Sequence, residues 1–399
     1  MILRDDRSPS ARSSLGGVRT DLAKLRDRLT EWLVDKAFPL WWEVGADRQR
    51  GGYHERIGLD GIPILEPRRA RVQPRQIYCF SVAHDLAWPD ADSMQIHHGL
   101  DYFERVFASP QGHFIALVDA KDRSLDGAFD LYNQAFALLG YAAAARILKE
   151  GALADRARRL LDLLESRYRR PDGGFYAGPD RSAPLLANPH MHLLEAALAC
   201  EDQAGKRWHR LADEIATLAL HRFIVAPAGA LVEASHDDYP RLADGPAAMI
   251  EPGHQFEWAW LLERWGERRG DSRAREAART LFDIGEKAGV DSTRDAAVAA
   301  LNLDLTVRDP LARLWPQTER LKAALLLGAA TGARADAEYY RAAALSAGRC
   351  IESFLNVALP GLWRDKLRAD ATFVAEPAPA SSFYHIVGAV LELNRLIDA

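Results

Sequence analysis

A chain of 399 residues with 48% hydrophobic side chains can bury a large core, which excludes disorder over most of its length. Its formal net charge of −5 comes from 51 basic and 56 acidic residues interspersed throughout, so no strongly basic face is forced, and neither nucleic acid nor a membrane surface is an expected partner. Cys79, Cys200 and Cys350 stand far apart in apolar sequence, which predicts buried free thiols and a reducing, cytoplasmic compartment.

Residues 1–17 carry charges but no apolar run, so they read as a flexible tail rather than a signal peptide. Residues 18–399 are expected to form one domain, because barrels of repeated units reach that size undivided. No apolar stretch is long and uncharged enough to span a bilayer. Helical periodicity recurs over Leu22 to Ala37, Arg75 to Ala87, Ile96 to Phe107, Tyr132 to Leu148, Leu153 to Tyr168 and Met191 to Ala204. It continues over Arg207 to Phe223, Phe256 to Arg269, Ser272 to Ala288, Glu319 to Thr331, Ala335 to Phe354 and Phe383 to Leu396.

Short glycine-bearing turns separate alternate helices: Gly51-Gly52-Tyr53, Gly112-His113-Phe114, Gly173-Gly174-Phe175, Gly229-Ala230-Leu231 and Gly361-Leu362-Trp363. They recur at roughly 55 to 65 residues, with a double gap centred near Asp295-Ala296, which implies about six helical hairpins. A hairpin buries only one face and needs neighbours, so six closing on themselves predict an all-α (α/α)6 barrel with inner and outer rings of helices. An open solenoid is the architectural alternative.

Some 18 to 25 residues after each turn, a helix start carries polar or aromatic residues: Arg75, Tyr132 with Asn133, His192, His254, Trp315 with Gln317, and His385. In a closed ring these meet at one mouth. His254 and Glu257 share a helix face, and His192 with Glu195 repeats that spacing beside Asn188 and Pro189. Each has an ordinary alternative: a capped core histidine, a surface arginine, a packing tryptophan.

Together they describe a polar pocket with stacking walls, suited to a sugar. Arginine can hold an oxygen that becomes anionic and histidines can move protons both ways, so the expected chemistry is proton abstraction alpha to a carbonyl. The two His-x-x-Glu pairs also admit a metal, but His-Glu-x-x-His and paired Cys-x-x-Cys are absent, so no metal is expected. Nucleotide-binding glycine motifs are absent too. Arg241 and Arg308 are candidates for reading a charged substituent on the substrate.

Five ordered motifs are Val72-Gln73-Pro74-Arg75-Gln76, Asn188 to Ala196, Pro252-Gly253-His254-x-x-Glu257-Trp258, Trp315-Pro316-Gln317-Thr318-Glu319 and Ser382-Phe383-Tyr384-His385. The chain from about Leu22 onward thereby resembles the N-acylglucosamine 2-epimerase superfamily, and most of all its mannose isomerase branch. The resemblance implies an (α/α)6 barrel acting on free monosaccharides through a cis-enediol without a redox cofactor. It implies His254 and His385 as the general acid/base pair, Arg75 on the C1 and C2 oxygens and Glu257 supporting His254. His192, Asn188, Tyr132 and Trp315 are then sugar contacts, with Gln317 beside them. Aldose–ketose isomerisation is the expected reaction. A 2-epimerase with the same two histidines, a glycoside hydrolase and a non-catalytic binding protein are the alternatives, and either a monomer or a homodimer is compatible.

Overall fold

Two kinds of helix alternate along the chain, and burial tells them apart. The computed structural model describes residues 9–225, 228–235 and 248–397, with the side chains of 9–19 and 202–204 excepted. Helix α1 (Pro9–Trp32) passes through a π-turn at Leu33–Ala37 into α2 (Phe38–Glu43). Then follow α3 (Val72–Asp85), α4 (Ser93–Phe107), α5 (Leu131–Leu148), α6 (Gly151–Arg167), α7 (Ala187–Ala204), α8 (Lys206–Leu218) and α9 (Pro252–Arg269). The chain ends with α10 (Ser272–Gly289), α11 (Leu314–Ala330), α12 (Arg334–Leu355) and α13 (Ala380–Ile397). Of the stretch 1–17, residues 1–8 lie outside the described residues, and helical backbone begins at Pro9 rather than after residue 17.

Helix α9 is buried on every side from Pro252 to Glu263, whereas α10 buries one side, with Ala274, Ala278, Leu281, Phe282 and Gly285 among its buried residues. An all-round buried helix belongs inside a ring and an amphipathic one outside it. The inner helices α3, α5, α7, α9, α11 and α13 pack each on the next, and α13 packs back on α3, so the ring closes and the open solenoid is excluded. Even-numbered helices cover the outside, with α1 lying against α12 and α13. One cluster of buried apolar residues runs from Leu22 to Leu393, and a small second one gathers Ala230, Val232, Ile250, Ile284, Val298 and Leu301. Cys79, Cys200 and Cys350 are buried and free. No described helix is long and apolar enough to cross a membrane.

Apart from α5, which begins at Leu131 beside the expected Tyr132, the inner helices begin three to five residues before the sequence periodicity suggests. Pro74, Pro189 and Pro316 look like helix-entering signals, yet each sits inside the first turn of α3, α7 or α11. Proline is tolerated there because the first N–H groups of a helix have no internal acceptor. Short antiparallel ladders form in the connections between helices, some joining neighbouring repeats; the longest, Ala296–Leu301 with Val307–Arg313, is a hairpin within the connection from α10 to α11. This ladder occupies the repeat that lacks a glycine turn, where Asp295 adopts the left-handed conformation (φ +55°) that glycine supplies elsewhere.

One device sets the height of each inner helix. Gln73 accepts from the backbone N–H of Tyr53 (2.8 Å) and donates to its carbonyl (2.9 Å). Gln134 does the same to Phe114, Gln255 to Leu231 and Gln317 to Ala297. In α7, His190 takes the place, accepting from Phe175 N–H at 3.0 Å. In α13 the position is Phe383, stacked on Trp363. Every repeat thus ties its turn to the first turn of its inner helix, and residues counted from this clamp come to equal depth in the barrel.

Candidate active site

Two residues beyond each clamp lie Arg75, Phe136, His192, Glu257, Glu319 and His385; two residues before it lie Arg71, Tyr132, Asn188, Gly253, Trp315 and Ser381. A helix brings i and i+4 one above the other, so these sets form a floor and a rim. Between them opens a cavity of about 550 Å³ lined, among others, by Arg75, Tyr132, Asn188, His192, His254, Glu257, Trp315 and His385. The structure therefore brings together the predicted site residues except Gln317 and Asn133, the latter being buried and donating to Asp130 at 2.8 Å. Gln317 does not line the cavity; it is the fully buried clamp of α11, bonded to Ala297 and to the Arg313 carbonyl.

A second correction concerns the two His-x-x-Glu pairs. They are not equivalent positions: Glu257 occupies the floor position that His192 holds in its own repeat, and His254 sits three residues nearer the rim. Glu257 does not hydrogen-bond His254. Neither of its oxygens has a hydrogen-bond partner, although the side chain is buried, and Oε1 lies 3.6 Å from His192 Nδ1. Burial first, then the charges of Glu319 and Glu195, push this carboxyl well above its ordinary range against the pull of Lys322 and His254. A carboxyl held this way in the cavity floor keeps its proton more firmly than an exposed glutamate does.

His254 is instead held by Glu233, at 2.9 Å from Nδ1, with Glu251 at 3.8 Å. Burial alone would depress the imidazole, but Glu233 and Glu251 outweigh it, with a smaller contribution from Glu257, and push it up to about 10. His385 has the opposite fate. Its Nδ1–H donates to Glu319 Oε1 at 2.8 Å, yet burial, reinforced by Arg75, Lys322 and His192, pushes it well below its ordinary range. Around neutrality, then, one cavity histidine is a cation and the other a neutral imidazole with Nε2 unengaged. Trp315 touches both, its ring centred 5.2 Å from His254 and 5.5 Å from His385. It leans flat over Gly253, where a Cβ would meet the indole at 2.4 Å.

Arg75 enters from α3 and is 5% exposed. It donates to the Tyr132 hydroxyl at 2.6 Å and to the Ser381 carbonyl at 3.3 Å, while its Nε has no partner. The Phe136 ring lies beneath the guanidinium at 4.1 Å. Asn188 lines the same space, and its buried Oδ1 has no hydrogen-bond partner. His192 is pushed down to about 4, by burial first, and packs on Tyr132 and Phe136.

Beneath the floor Lys322 donates to Glu319 at 2.7 Å and covers the Trp260 ring at 3.9 Å, and Tyr384 donates to Glu195. Sequence reasoning passed over Glu233, Glu251 and Lys322 as site residues. Only the phase of Lys322, three residues beyond Glu319 on one helix face, offered a signal. Three groups have ligand atoms close enough for a divalent ion: His192 with Glu195 and Glu257, His254 with Glu233 and Glu251, and His385 with Glu257 and Glu319. Of the arginines considered for a charged substituent, Arg308 is not among the residues lining the cavity and Arg241 lies outside the described residues; Arg69, Arg71 and Arg313 stand at the mouth instead.

The model of one family, N-acylglucosamine 2-epimerase, matches residues 51–389. A mannose-6-phosphate isomerase of Rhizobium meliloti (strain 1021) is 49% identical over 92% of this chain and 96% of its own length. A D-mannose isomerase of Thermobifida fusca is 30% identical over 78% of this chain and 84% of its own. Among solved structures, a cellobiose 2-epimerase from Spirochaeta thermophila DSM 6192 superposes with a TM-score of 0.83 at 21% identity, over 96% of this chain and 98% of that one.

Proposed function

The chain belongs to the N-acylglucosamine 2-epimerase family, and on that premise we propose that it is a sugar isomerase interconverting an aldose and a ketose of the mannose–fructose type. The observation that carries this reading is two histidines lining one cavity on separate carboxylates, His254 on Glu233 and His385 on Glu319, with proton affinity pushed up at the first and down at the second. Environments that drive two titratable groups apart supply an acid and a base at the same pH.

The steps follow from the geometry. His254 protonates the ring oxygen as the hemiacetal opens and recovers a proton from O1. Arg75, which lines the cavity, holds O1 and O2. Nε2 of His385 then takes the C2 proton, the freed electron pair forms the C1–C2 double bond, and O1 takes a proton from His254 to give the cis-enediol. O2–H returns its proton to His254 as the C2 carbonyl forms, and His385 delivers its proton to C1. Glu319 fixes the His385 tautomer, and Glu233 keeps His254 charged. Glu257, Asn188, Tyr132, His192 and Trp315 surround the sugar. The names of the Rhizobium and Thermobifida relatives support this reaction. The buried free thiols favour a reducing, cytoplasmic setting.

A 2-epimerase is the second reading, favoured by both histidines reaching one cavity, since the second could return the proton to the opposite face of C2. Hydrolysis is less well served, because Glu233 and Glu319 are engaged by histidines rather than facing each other across a free gap. The test is incubation with mannose, glucose, fructose and N-acetylmannosamine in deuterated water, followed by NMR. A ketose product supports the isomerase, a C2-labelled epimer without ketose the epimerase, and no turnover of any of these sugars or of their 6-phosphates overturns both. His254→Ala and His385→Ala should each abolish turnover with an unchanged circular dichroism spectrum. Wild-type rate in either removes that residue from the assignment.

A further inference from the structure

The cavity mouth carries three arginines, and their partners differ. Arg69 is bound through its Nε to Glu55 at 2.7 Å, with Nη2 also at 2.7 Å from that carboxylate. Arg313 is bound to Asp365 through Nη2 at 3.0 Å and Nε at 3.2 Å. Arg71 has no such carboxylate: among the described residues its one hydrogen bond is a long contact of 3.5 Å to the Asn133 side-chain oxygen, and its guanidinium lies 5.3 Å from the Tyr132 ring. Asp130 is the acid that faces it across the cavity wall, but Asp130 caps α5, accepting from Tyr132 N–H at 3.0 Å and from Asn133 at 2.8 Å.

A guanidinium that is half-buried, cavity-lining and hydrogen-bonded to no carboxylate can take an anion from the ligand. Its place limits which one. Arg71 stands four residues before Arg75 on the same helix face, a rise of about 6 Å, comparable with the length of a hexose chain. With O1 and O2 of the sugar on Arg75, the far end of the substrate comes to Arg71.

Resting on the isomerase reading and deepening it, we propose that Arg71 is the specificity-determining residue that receives a phosphate monoester at the terminal carbon of the sugar. The name of the Rhizobium relative speaks of a phosphorylated sugar but assigns the phosphate no residue. The planar fork takes two phosphate oxygens, whereas Arg69 and Arg313 each already pair through two nitrogens with a carboxylate of their own.

The experiment compares kcat/KM for mannose 6-phosphate and for mannose in the wild type, Arg71→Met and Arg71→Lys. The wild type should favour the phosphorylated sugar. Arg71→Met should lower that preference about a hundredfold, the size expected for loss of a charge-assisted bidentate contact. Arg71→Lys should keep part of it, because a point charge replaces the fork. Calorimetry with mannitol 6-phosphate against mannitol, neither of which can be isomerised, reads the same contact without turnover. A preference that Arg71→Met leaves unchanged in kinetics and in calorimetry overturns the proposal. A phosphate preference in binding that vanishes in Arg71→Met, with no ketose formed by any variant, upholds the anion site and overturns the isomerase reading.

Discussion

Replacing Glu233 by Gln tests the acid/base assignment most directly. The amide keeps an oxygen that can accept from His254 Nδ1–H, so the ring orientation survives, while the charge that does most to hold the imidazole protonated is lost. At a charge separation of about 4 Å and an effective dielectric near 20, that charge is worth about 4 kcal/mol, or about three pKa units. His254 therefore falls from about 10 to near neutrality, at about 7 by this arithmetic. His254 acts as the acid, so activity is lost as pH rises through its pKa. The alkaline limb of kcat/KM should move down by two to three units, roughly. At pH 9 only about one variant molecule in a hundred would still carry the proton, a loss close to a hundredfold, against about twofold at pH 7. Stability should follow the same sign: the raised pKa contributes stability that is complete below the unfolded value of 6.5 and is lost as pH rises through about 10. The assay is a pH series of initial ketose formation with a parallel melting series. An alkaline limb in the variant that coincides with that of the wild type would refute the reasoning.

Lys322→Met removes the cation beneath Glu319 and should cost about 3–5 kcal/mol in a denaturant titration, because a buried carboxylate is left uncompensated. Lys322 also helps hold His385 below its ordinary range, so the acid limb of the rate profile should rise toward neutrality; an unmoved limb would show that Lys322 only packs. Gln317→Ala orphans the Ala297 N–H and carbonyl and should lower stability by about 2–4 kcal/mol. Its KM should stay within about twofold of the wild type, because the side chain does not line the cavity; a large rise in KM with stability intact would return it to the substrate. Finally, turnover should persist after exposure to a chelator, and its loss with recovery on adding a divalent ion would place a metal in one of the three His/Glu groups.

The ring of helices was legible because its evidence is periodic: glycine turns at even spacing and inner segments too apolar to face water. That Arg75, His254 and His385 share one cavity followed from the same periodicity. Finer register did not. His254 and His192 look like copies of one motif, and only the glutamine clamp shows that Glu257, not His254, matches His192. The clamp was itself visible as Tyr53 with Gln73, Phe114 with Gln134 and Ala297 with Gln317, each 20 residues apart. Read that way, Gln317 belongs to the scaffold. Glu233 gave no warning, because it sits between short strands where neither helical nor alternating pattern marks a carboxylate aimed inward. Lys322 was hidden by a general expectation that lysine faces solvent, here overridden by Glu319 and the face of Trp260.

Gly253 carries a consequence out of proportion to its size. The indole of Trp315 occupies the volume that a methyl group there would claim, and that indole is the shared neighbour of both proton carriers. Alanine at 253 would act as a wedge, swinging the aromatic wall inward and changing the gap across which a proton must travel. The spacing of the reacting pair is thus governed by a single hydrogen atom on a residue with no chemistry of its own.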